Sequence, residues 1–323
     1  MGLFRESESN FKMKKILVTG GSGFIGSAIV KKLLDLEYEI TILDDNSRGS
    51  LERLKDVKNS FKFVDGSVTD KEAVRLACAG VDSVVHLAYI NGTKNFYERP
   101  GDVLDVGIRG FLNLSDVMSE FEIPELILAS SSEVYQQPSV VPTPETIPMI
   151  VPDLDNPRYS YGLGKIVQEF YGFHAMKNLK RFVIFRPHNI YGPKMGNLHV
   201  VPQLIEKCKN ARRHGESLEI EGDGLQTRSF CFIDDFVDAF ELILNKGEHQ
   251  SVYNIGTSEE VSIKDLVDLI ARLMDFRGDI KTSIGPSGGT SRRLPDIGKI
   301  SRLGFTQKFS LESGLQICVK EHK

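Results

Sequence analysis

The segment from Lys14 to Gly26 reads KKILVTGGSGFIG, and it decides the fold class. Its first part, 14–19, is an apolar run of strand length, and the residues after Gly23 have helical spacing. A glycine-rich turn between a strand and a helix lets a pyrophosphate approach the backbone, and the helix N-terminus supplies N–H donors. The segment therefore predicts a dinucleotide site with contacts from Gly20, Gly23, Phe24, Ile25 and Gly26.

Asp44 ends the next predicted strand, and it indicates which dinucleotide binds. A carboxylate at this place accepts hydrogen bonds from the adenosine ribose and repels the 2′-phosphate of NADP. The alternative is an aspartate that only shapes the turn at 44–46, and Arg48 could instead pair with a 2′-phosphate. Together with the glycines, Asp44 predicts NAD as the cofactor.

Short apolar strands alternate with helical patterns through the first two-thirds of the chain. Near-continuous apolar strands separated by helices are typical of a parallel sheet that is buried on both faces. With right-handed crossovers the pattern predicts an α/β protein with a Rossmann-type doubly wound sheet. The predicted strands are 14–19, 39–43, 61–64, 81–87, 125–129 and 181–185, and the predicted helices are 24–36, 101–121 and 160–176.

The pattern changes after about Tyr191, where segments become shorter and glycine turns more frequent. We expect a loose tail over 1–12, an NAD-binding Rossmann domain over 13–190 and a smaller, mainly substrate-binding lobe over 191–323. Segments near 228–256 should return to the first domain. Because ligands of open α/β sheets bind outside the carboxyl ends of the strands, the second lobe should cap that edge.

The composition is that of an ordinary globular protein. The 323 residues are 41% hydrophobic and 26% charged, and 40 basic against 44 acidic residues give a net charge of −4. This balance argues against nucleic acid or an anionic membrane as partner, and no run of about 18 apolar residues could span a bilayer. The four cysteines are scattered, so we expect no metal site, reduced thiols and a cytoplasmic location.

Tyr161 and Lys165 are the predicted catalytic pair. Their i, i+4 spacing on a predicted helix places both side chains on one face. A tyrosine has an ordinary pKa near 10, and a lysine ammonium and a positive nicotinamide ring would both favour the phenolate. Ser131 follows the predicted strand 125–129, where its hydroxyl could bond the substrate oxygen. The alternative is a packed tyrosine beside a solvated lysine.

With these motifs in place, the chain resembles the extended short-chain dehydrogenase/reductase family over about 14–320. Within that family it is similar to the nucleotide-sugar epimerases, dehydratases and decarboxylases. The resemblance implies NAD, a nucleotide-diphosphate sugar substrate, and catalysis by Ser131, Tyr161 and Lys165. The matching segments are TGGSGFIGS (19–27), VVHLA (84–88), ASSSEVY (129–135), YSYGLGK (159–165), RPHNIYGP (186–193), TRSFCFIDD (227–235) and RRLPDIGK (292–299).

The resemblance also implies further contacts. The additional cofactor residues are Ser67, Val68, Leu87 and Ala88, together with Tyr161 and with Lys165, which would also hold the nicotinamide ribose. The substrate residues are Ser132, Asn189, His199, Val200, Arg228 and Arg292, with Arg293 as the alternative to Arg292. A guanidinium suits a diphosphate because it bonds in a bidentate way, although any single arginine could instead form a surface ion pair. Two positions depart from the family pattern: Ser67 stands where Asp is usual, and Gly107 where Asn is usual.

Glu133 distinguishes between the reactions of the family. A 4-epimerase needs no acid or base beyond Tyr161, whereas a 4,6-dehydratase needs a group to remove the C5 proton. Decarboxylases of this family carry Ser-Glu where this chain has 132–133, and the glutamate could also simply orient a loop. We expect a 4-epimerase of the UDP-glucose type. A 4,6-dehydratase or UDP-glucuronate decarboxylase that uses Glu133, and a non-catalytic NAD-binding sensor, remain alternatives.

Two apolar stripes with helical spacing are candidates for a dimer interface. The resemblance implies a homodimer in which two helices of each copy form a four-helix interface. The alternative is that both stripes face the sheet. The stripe residues are Val103, Val106, Gly110, Leu114 and Val117 on the first helix, and Val167, Phe170, Tyr171 and His174 on the second.

Overall fold

The structure, a computed structural model, describes residues 14–283 and 289–321. The predicted tail at 1–12 and the predicted domain start at Met13 lie outside the described residues. The strands are β1 (Lys15–Thr19), β2 (Glu39–Asp44), β3 (Phe61–Asp65), β4 (Ser83–His86), β5 (Glu125–Ala129), β6 (Arg181–Pro187), β7 (Ile190–Tyr191), β8 (Leu218–Glu221), β9 (Thr227–Ser229), β10 (Cys231–Phe232), β11 (Ser251–Ile255), β12 (Glu260–Ser262), β13 (Ile280–Ser283) and β14 (Arg292–Arg293).

A parallel sheet of seven strands forms the centre of the described molecule, in the order β3-β2-β1-β4-β5-β6-β11. The order reverses between β1 and β4, which is the switch point of a doubly wound fold. The predicted fold class, α/β with a Rossmann-type sheet, is confirmed. Each predicted strand corresponds to an observed one, with ends that differ by at most two residues. The last strand, β11, lies far along the chain from the other six.

Helices cover the sheet. They are α1 (Phe24–Asp35), α2 (Lys71–Cys78), α3 (Thr93–Glu98), α4 (Pro100–Leu104), α5 (Gly110–Glu120), α6 (Ser160–His174), α7 (Val200–His214), α8 (Ile233–Lys246), α9 (Ile263–Leu273), α10 (Gly298–Arg302) and α11 (Leu311–Glu321). The single helix predicted at 101–121 is wrong in one respect, because a π-helical segment at Asp105–Arg109 separates α4 from α5. In the part of the chain that the structure describes, no helix is long and apolar enough to cross a membrane.

The strands have apolar side chains on both faces, and this explains why their sequences show no alternation. In β1, Ile16 and Val18 pack into one core, while Leu17 packs into the other. Strand β5, two positions away in the sheet, has the same pattern, with Ile127 on the first face and Leu126 on the second. All of these side chains are fully buried, as a parallel sheet between two helical layers requires.

The C-terminal part differs from the expectation of short segments. It contains three helices of eleven or more residues before residue 275, namely α7, α8 and α9. Of these, α8 lies against α1 and leads into β11 on the main sheet. The small strand groups β12-β9-β14 and β13-β8 lie outside the main sheet. The parallel pairing of β14 with β9 places Arg293 opposite Arg228.

A buried ion pair joins α6 to the sheet. The Arg186 guanidinium in β6 donates from Nε to Glu169 Oε1 at 2.9 Å and from Nη2 to Oε2 at 2.5 Å. The two side chains are only 4% and 2% exposed. Glu169 also accepts a hydrogen bond from the Ser130 hydroxyl just after β5, and Arg186 Nη1 donates to the Tyr135 hydroxyl at 2.7 Å. The network therefore connects one helix to two strand ends.

We predict that Glu169→Gln lowers the free energy of unfolding by about 3–5 kcal/mol, because it leaves the Arg186 charge buried without its counter-ion. Chemical denaturation measures this change. The matched control is Glu312→Gln, which breaks the exposed pair with Arg272 and should have little effect. Equal losses in the two variants would contradict the structural role of the buried pair.

Candidate active site

A cavity of about 700 Å³ opens at the carboxyl edge of the main sheet. The ends of β1, β4 and β5 form its floor, and residues after 187 close it from the other side. Of the predicted site residues, those that line the cavity are Gly20, Gly23, Phe24, Ile25, Gly26, Asp44, Ser67, Val68, Leu87, Ala88, Ser131, Ser132, Glu133, Tyr161, Lys165, Asn189, His199, Val200 and Arg228. Arg292 lies outside the cavity, and its neighbour Arg293 lies inside.

The glycine turn has the shape that a pyrophosphate needs. Gly20 has φ +73°, and a side chain there would also strike the backbone of Ala88, with Cβ only 2.8 Å from its nitrogen. A Cβ on Gly26 would lie 2.1 Å from the Gly20 carbonyl oxygen. The helix α1 starts after Gly23 with no described side chain capping it and no acidic residue in its first turn. Its first amides are therefore available for an anion, and this turn fits a dinucleotide.

Asp44 lies beside this turn, and two backbone amides donate hydrogen bonds to its carboxylate. Its Oδ2 accepts from the amide of Ser22 at 2.9 Å, and its Oδ1 accepts from the amide of Asn46 at the same distance. The carboxylate is buried but lines the cavity, so it remains available to ribose hydroxyls. Arg48 also lines the cavity, as a contact with the 2′-phosphate of NADP would require. Burial lowers the pKa of its guanidinium from the usual value.

Tyr161 occupies the first turn of α6, deep in the cavity. Its ring stacks on Phe96 with centroids 5.1 Å apart. Burial is the main cause that raises the pKa of Tyr161 to about 12, and the charge of Glu133 acts in the same direction, whereas a hydrogen bond with the Ser131 side chain and the charge of Arg48 act against it. The Ser131 oxygen also accepts from the amide of Glu133 at 3.1 Å. Its lone proton is thus left for a bond to Tyr161 or to a ligand.

Lys165 lies one turn further along α6 and is fully enclosed. Its ammonium donates to the Ala129 carbonyl at 2.6 Å and to Gln168 Oε1 at 3.0 Å. Burial lowers its pKa to about 7, although Glu169 acts to raise it. Its Nζ is 6.0 Å from the centroid of the Tyr161 ring. The lowered tyrosine pKa expected from the sequence is therefore not produced by the protein's own groups, because burial outweighs the charges.

Glu133 does not stand free in the cavity. Its Oε1 accepts from Arg293 Nη1 at 2.8 Å. Burial by itself would raise the pKa of Glu133, but Arg293, Arg158 and Arg228 together hold it below its usual value. Arg228 is also affected by this cluster, because burial and the neighbouring guanidinium groups lower its pKa to about 9. The glutamate is thus an ionised partner of an arginine cluster.

The two neighbouring arginines at 292–293 have opposite environments, because alternate residues of a strand point to opposite sides. Arg292 is exposed and forms a bidentate pair with Glu260, at 2.7 and 2.8 Å. Arg293 is buried and reaches Glu133 and the Thr290 hydroxyl. Of the two residues that the sequence left as alternatives for a substrate contact, Arg293 lines the cavity and Arg292 does not.

The remaining predicted residues sit around the rim of the cavity. Asn189 donates to the carbonyl of Ser229 at 2.9 Å and has φ +42°. His199 precedes α7, and burial, together with the nearby Arg48, lowers its pKa to about 4, so its ring is neutral. His188 does not line the cavity. It is buried, with its ring 6.1 Å from that of Tyr135.

Several cavity residues were missed in the sequence. Tyr89, Phe96 and Arg158 line it, and Gln168 holds Lys165 from the next turn of α6. Tyr89, Phe96 and Arg158 belong to short helices or connecting segments without a recognisable motif. The one available signal was the i, i+3 spacing of Gln168 from Lys165. Within 14–283 and 289–321, no group of three or more His, Cys, Asp or Glu side chains could hold a metal ion.

Comparisons with known proteins agree with this geometry. A sequence model of the NAD dependent epimerase/dehydratase family matches residues 16–256. The putative UDP-glucose 4-epimerase of Methanocaldococcus jannaschii is 33% identical over 313 residues, or 94% of this chain and 97% of that protein. UDP-glucuronic acid decarboxylase 3 of Arabidopsis thaliana is 30% identical over 320 residues, with 96% and 89% covered. The crystal structure of UDP-glucose 4-epimerase with UDP-glucose from Thermotoga maritima has a TM-score of 0.85 at 29% identity, with 95% and 98% covered.

We predict that Asp44→Asn weakens NAD binding by about tenfold or more, because a neutral amide replaces a charged acceptor. The affinity for NADP should not fall, since the variant no longer repels a 2′-phosphate. Calorimetric titration with both cofactors measures the two effects. Asp45→Asn, one residue along, is the control. An equal loss for NAD and NADP would show that Asp44 only supports the turn through Ser22 and Asn46.

Proposed function

The chain belongs to the NAD dependent epimerase/dehydratase family, and we propose that it is a 4-epimerase of nucleotide sugars of the UDP-glucose type. The family resemblance seen in the sequence is confirmed. NAD is the cofactor, and the enzyme acts on a nucleotide sugar. The similarity to UDP-glucose 4-epimerases from two organisms supports the choice of substrate and of reaction.

The residues of the cavity have separate tasks in this reaction. NAD, when bound, supplies a positive nicotinamide ring and a hydride acceptor. Ser131 donates a hydrogen bond to the sugar hydroxyl, and Tyr161 Oη takes the proton of that hydroxyl and later returns it. Lys165 holds its ammonium beside Tyr161 and favours the phenolate. Asp44 and the turn at 20–26 hold the cofactor, and Arg228 and Arg293 face the diphosphate.

The observation that carries the proposal is the ion pair between Glu133 and Arg293. An elimination across C5 and C6 needs a base at C5 and an acid at the leaving hydroxyl. Glu133 is held ionised by three arginines, so it is a poor acid, and its pairing makes it a weak base. Ser132, the residue before it, has no carboxyl group. A C4 epimerisation needs neither group.

The charge of the cluster fits a neutral sugar. Arg158, Arg228 and Arg293 carry three positive charges, and Glu133 neutralises one of them. The remaining two equal the charge of a nucleoside diphosphate linked to a neutral sugar. A uronic acid would add a third negative charge that this cluster does not match. Decarboxylation of a uronate is the second candidate, because a decarboxylase is 30% identical to this chain.

We predict that Glu133→Gln turns over UDP-glucose and UDP-galactose within about tenfold of the unchanged protein, because no second proton transfer is required. Loss of a general base would instead cost about 10²–10⁴ in rate. The assay incubates each variant with these sugars, a dTDP-glucose and UDP-glucuronate, and identifies products by chromatography and NMR.

Tyr161→Phe is the matched control, since it should block the reaction with every substrate. A 4-keto-6-deoxy product would establish the dehydratase, and release of carbon dioxide from UDP-glucuronate would establish the decarboxylase. If the unchanged protein forms either product and the Glu133→Gln variant does not, the epimerase proposal is overturned. Binding of NAD with no turnover of any sugar would favour the sensor alternative.

The lobe over 191–323 is proposed to hold the substrate, because Arg228, Arg293 and His199 all come from it. The compartment is proposed to be the cytoplasm. All four cysteines are free and buried, which is compatible with a reducing environment. The small net charge supports the expectation that neither nucleic acid nor a membrane is a partner.

A homodimer is also proposed, through the second of the two predicted stripes and not the first. Val103, Leu114 and Val117 of the first stripe are completely buried against the protein's own core, so they cannot form an interface. The second stripe is partly exposed. On α6, Phe170 is 63% exposed and packs its ring 4.4 Å from that of His174. This exposed aromatic pair supports α6 as the dimer surface.

We predict that Phe170→Glu converts the dimer to a monomer, because a charge would be buried in a contact between two copies of α6. Light scattering at micromolar concentration measures the mass. Leu76→Glu is the control, since Leu76 on α2 is also 63% exposed but lies elsewhere. A monomeric starting protein, or equal masses for both variants, would contradict this surface.

A further inference from the structure

Tyr89 has an unusual position between the two catalytic side chains of α6. It lies three residues after β4 and lines the cavity. Its ring centroid is 4.3 Å from Lys165 Nζ, and the Tyr89 and Tyr161 rings form a T-shaped pair with centroids 4.8 Å apart. Its hydroxyl is buried and has no hydrogen-bond partner among the described residues. A buried hydroxyl without a partner costs stability, so the placement calls for a physical reason.

Two glycines make room for this side chain. A Cβ on Gly164 would lie 1.8 Å from the Tyr89 hydroxyl and 3.2 Å from the next ring carbon. A Cβ on Gly107 would lie 2.0 Å from the hydroxyl and would also strike the ring, at 2.2 and 2.6 Å. Gly107 lies in the π-helical segment, a type of distortion that is frequent at functional sites. The hydroxyl thus fits a notch that any larger residue would fill.

The same surroundings fix Lys165. Two of its three ammonium protons bond to Ala129 O and to Gln168 Oε1, and the Tyr89 ring covers the group. Gln168 is itself held, because its Nε2 donates to the Gly107 carbonyl at 2.8 Å. The π-helical segment therefore acts on Lys165 in two ways, through Gln168 and through the space given to Tyr89.

We propose that Tyr89 is a positioning residue for Lys165: its ring orients the buried ammonium, and the notch of Gly107 and Gly164 fixes the ring. An aromatic face attracts a cation most strongly where water is excluded, as it is here. The proposal goes beyond the proposed function, and only its kinetic test rests on that function. Tyr89 need not touch the sugar, because it acts through Lys165.

Other groups also act on Lys165 and must stay unchanged in the test. Glu169, one turn further along α6, favours the charged ammonium. His86 at the end of β4 feels the positive charge, and burial with this charge lowers the pKa of its ring to about 3, so it is neutral. The centroid of the Tyr161 ring lies 6.0 Å from Lys165 Nζ. A comparison of variants at position 89 alone leaves all three in place.

The first test is a pattern of rescue in thermal stability. Gly164→Ala should lower the melting temperature by about 5 °C, although alanine normally favours a helix. Adding Tyr89→Phe should restore most of the loss, because the main clash is with the hydroxyl. The same Phe should not rescue Gly107→Ala, which strikes the ring, whereas in a Tyr89→Ala background the further change Gly107→Ala should cause little additional loss. Gly101→Ala, with open space around it, is the control. No difference between the two rescues would overturn the notch.

The second test compares Tyr89→Phe with Tyr89→Leu, which both exclude water but differ in the aromatic face. In the Leu variant the alkaline limb of the kcat profile should move about one pH unit lower and kcat should fall about tenfold, with KM little changed. The Phe variant should keep the original profile. Identical profiles for Phe and Leu would reduce Tyr89 to simple packing.

The failures of the two proposals are distinguishable. If the unchanged protein turns over no nucleotide sugar, the proposed function fails, and the pH dependence of NAD affinity, measured by calorimetry, replaces the kinetic profile. The Phe and Leu variants should differ in that profile by the same shift. If turnover is normal but the two variants behave alike in both measurements, the inference about Tyr89 fails and the epimerase proposal stands.

Discussion

The buried ion pair between Glu169 and Arg186 is the constraint on which the geometry of the site depends. Charges taken out of water must be paired and fully hydrogen-bonded, and here Ser130 and Tyr135 complete the bonding. The pair fixes the rotation of α6 about its own axis. Because Tyr161, Lys165 and Glu169 are spaced four residues apart, one fixed carboxylate sets the direction of all three side chains.

Much of this arrangement follows from the sequence, for a physical reason. The strands of a buried parallel sheet must be apolar on both faces, so 15–19 and 125–129 stand out without an alignment. The glycine turn and the Tyr161–Lys165 pair are each formed by residues that are close together along the chain, so their spacing can be read directly from the sequence. The carboxyl edge of the sheet then brings the turn, Ser131 and Tyr161 together.

What the sequence could not provide is the pairing of residues that are distant along the chain. Glu133 and Arg293 are separated by 160 positions, and the pairing of β14 with β9 helps to bring the arginine into the cavity. The choice between Arg292 and Arg293 depends on the facing of a two-residue strand, which composition does not determine. In the sequence, Gly107 is only a departure from the family pattern. The reason for a glycine there is its close contact with Tyr89, which belongs to another segment.

The electrostatics of the cavity connect these parts. Burial raises the pKa of Tyr161 and lowers those of Lys165 and Arg228, so all three groups are shifted against their charged forms. A diphosphate would favour the charged guanidinium of Arg228, and a positive nicotinamide would favour the phenolate of Tyr161. By linkage, each ligand then shifts the proton equilibria that the reaction uses. The dry environment that makes Tyr161 a weak acid also makes its response to bound charges strong, because Coulomb interactions are larger where water is excluded.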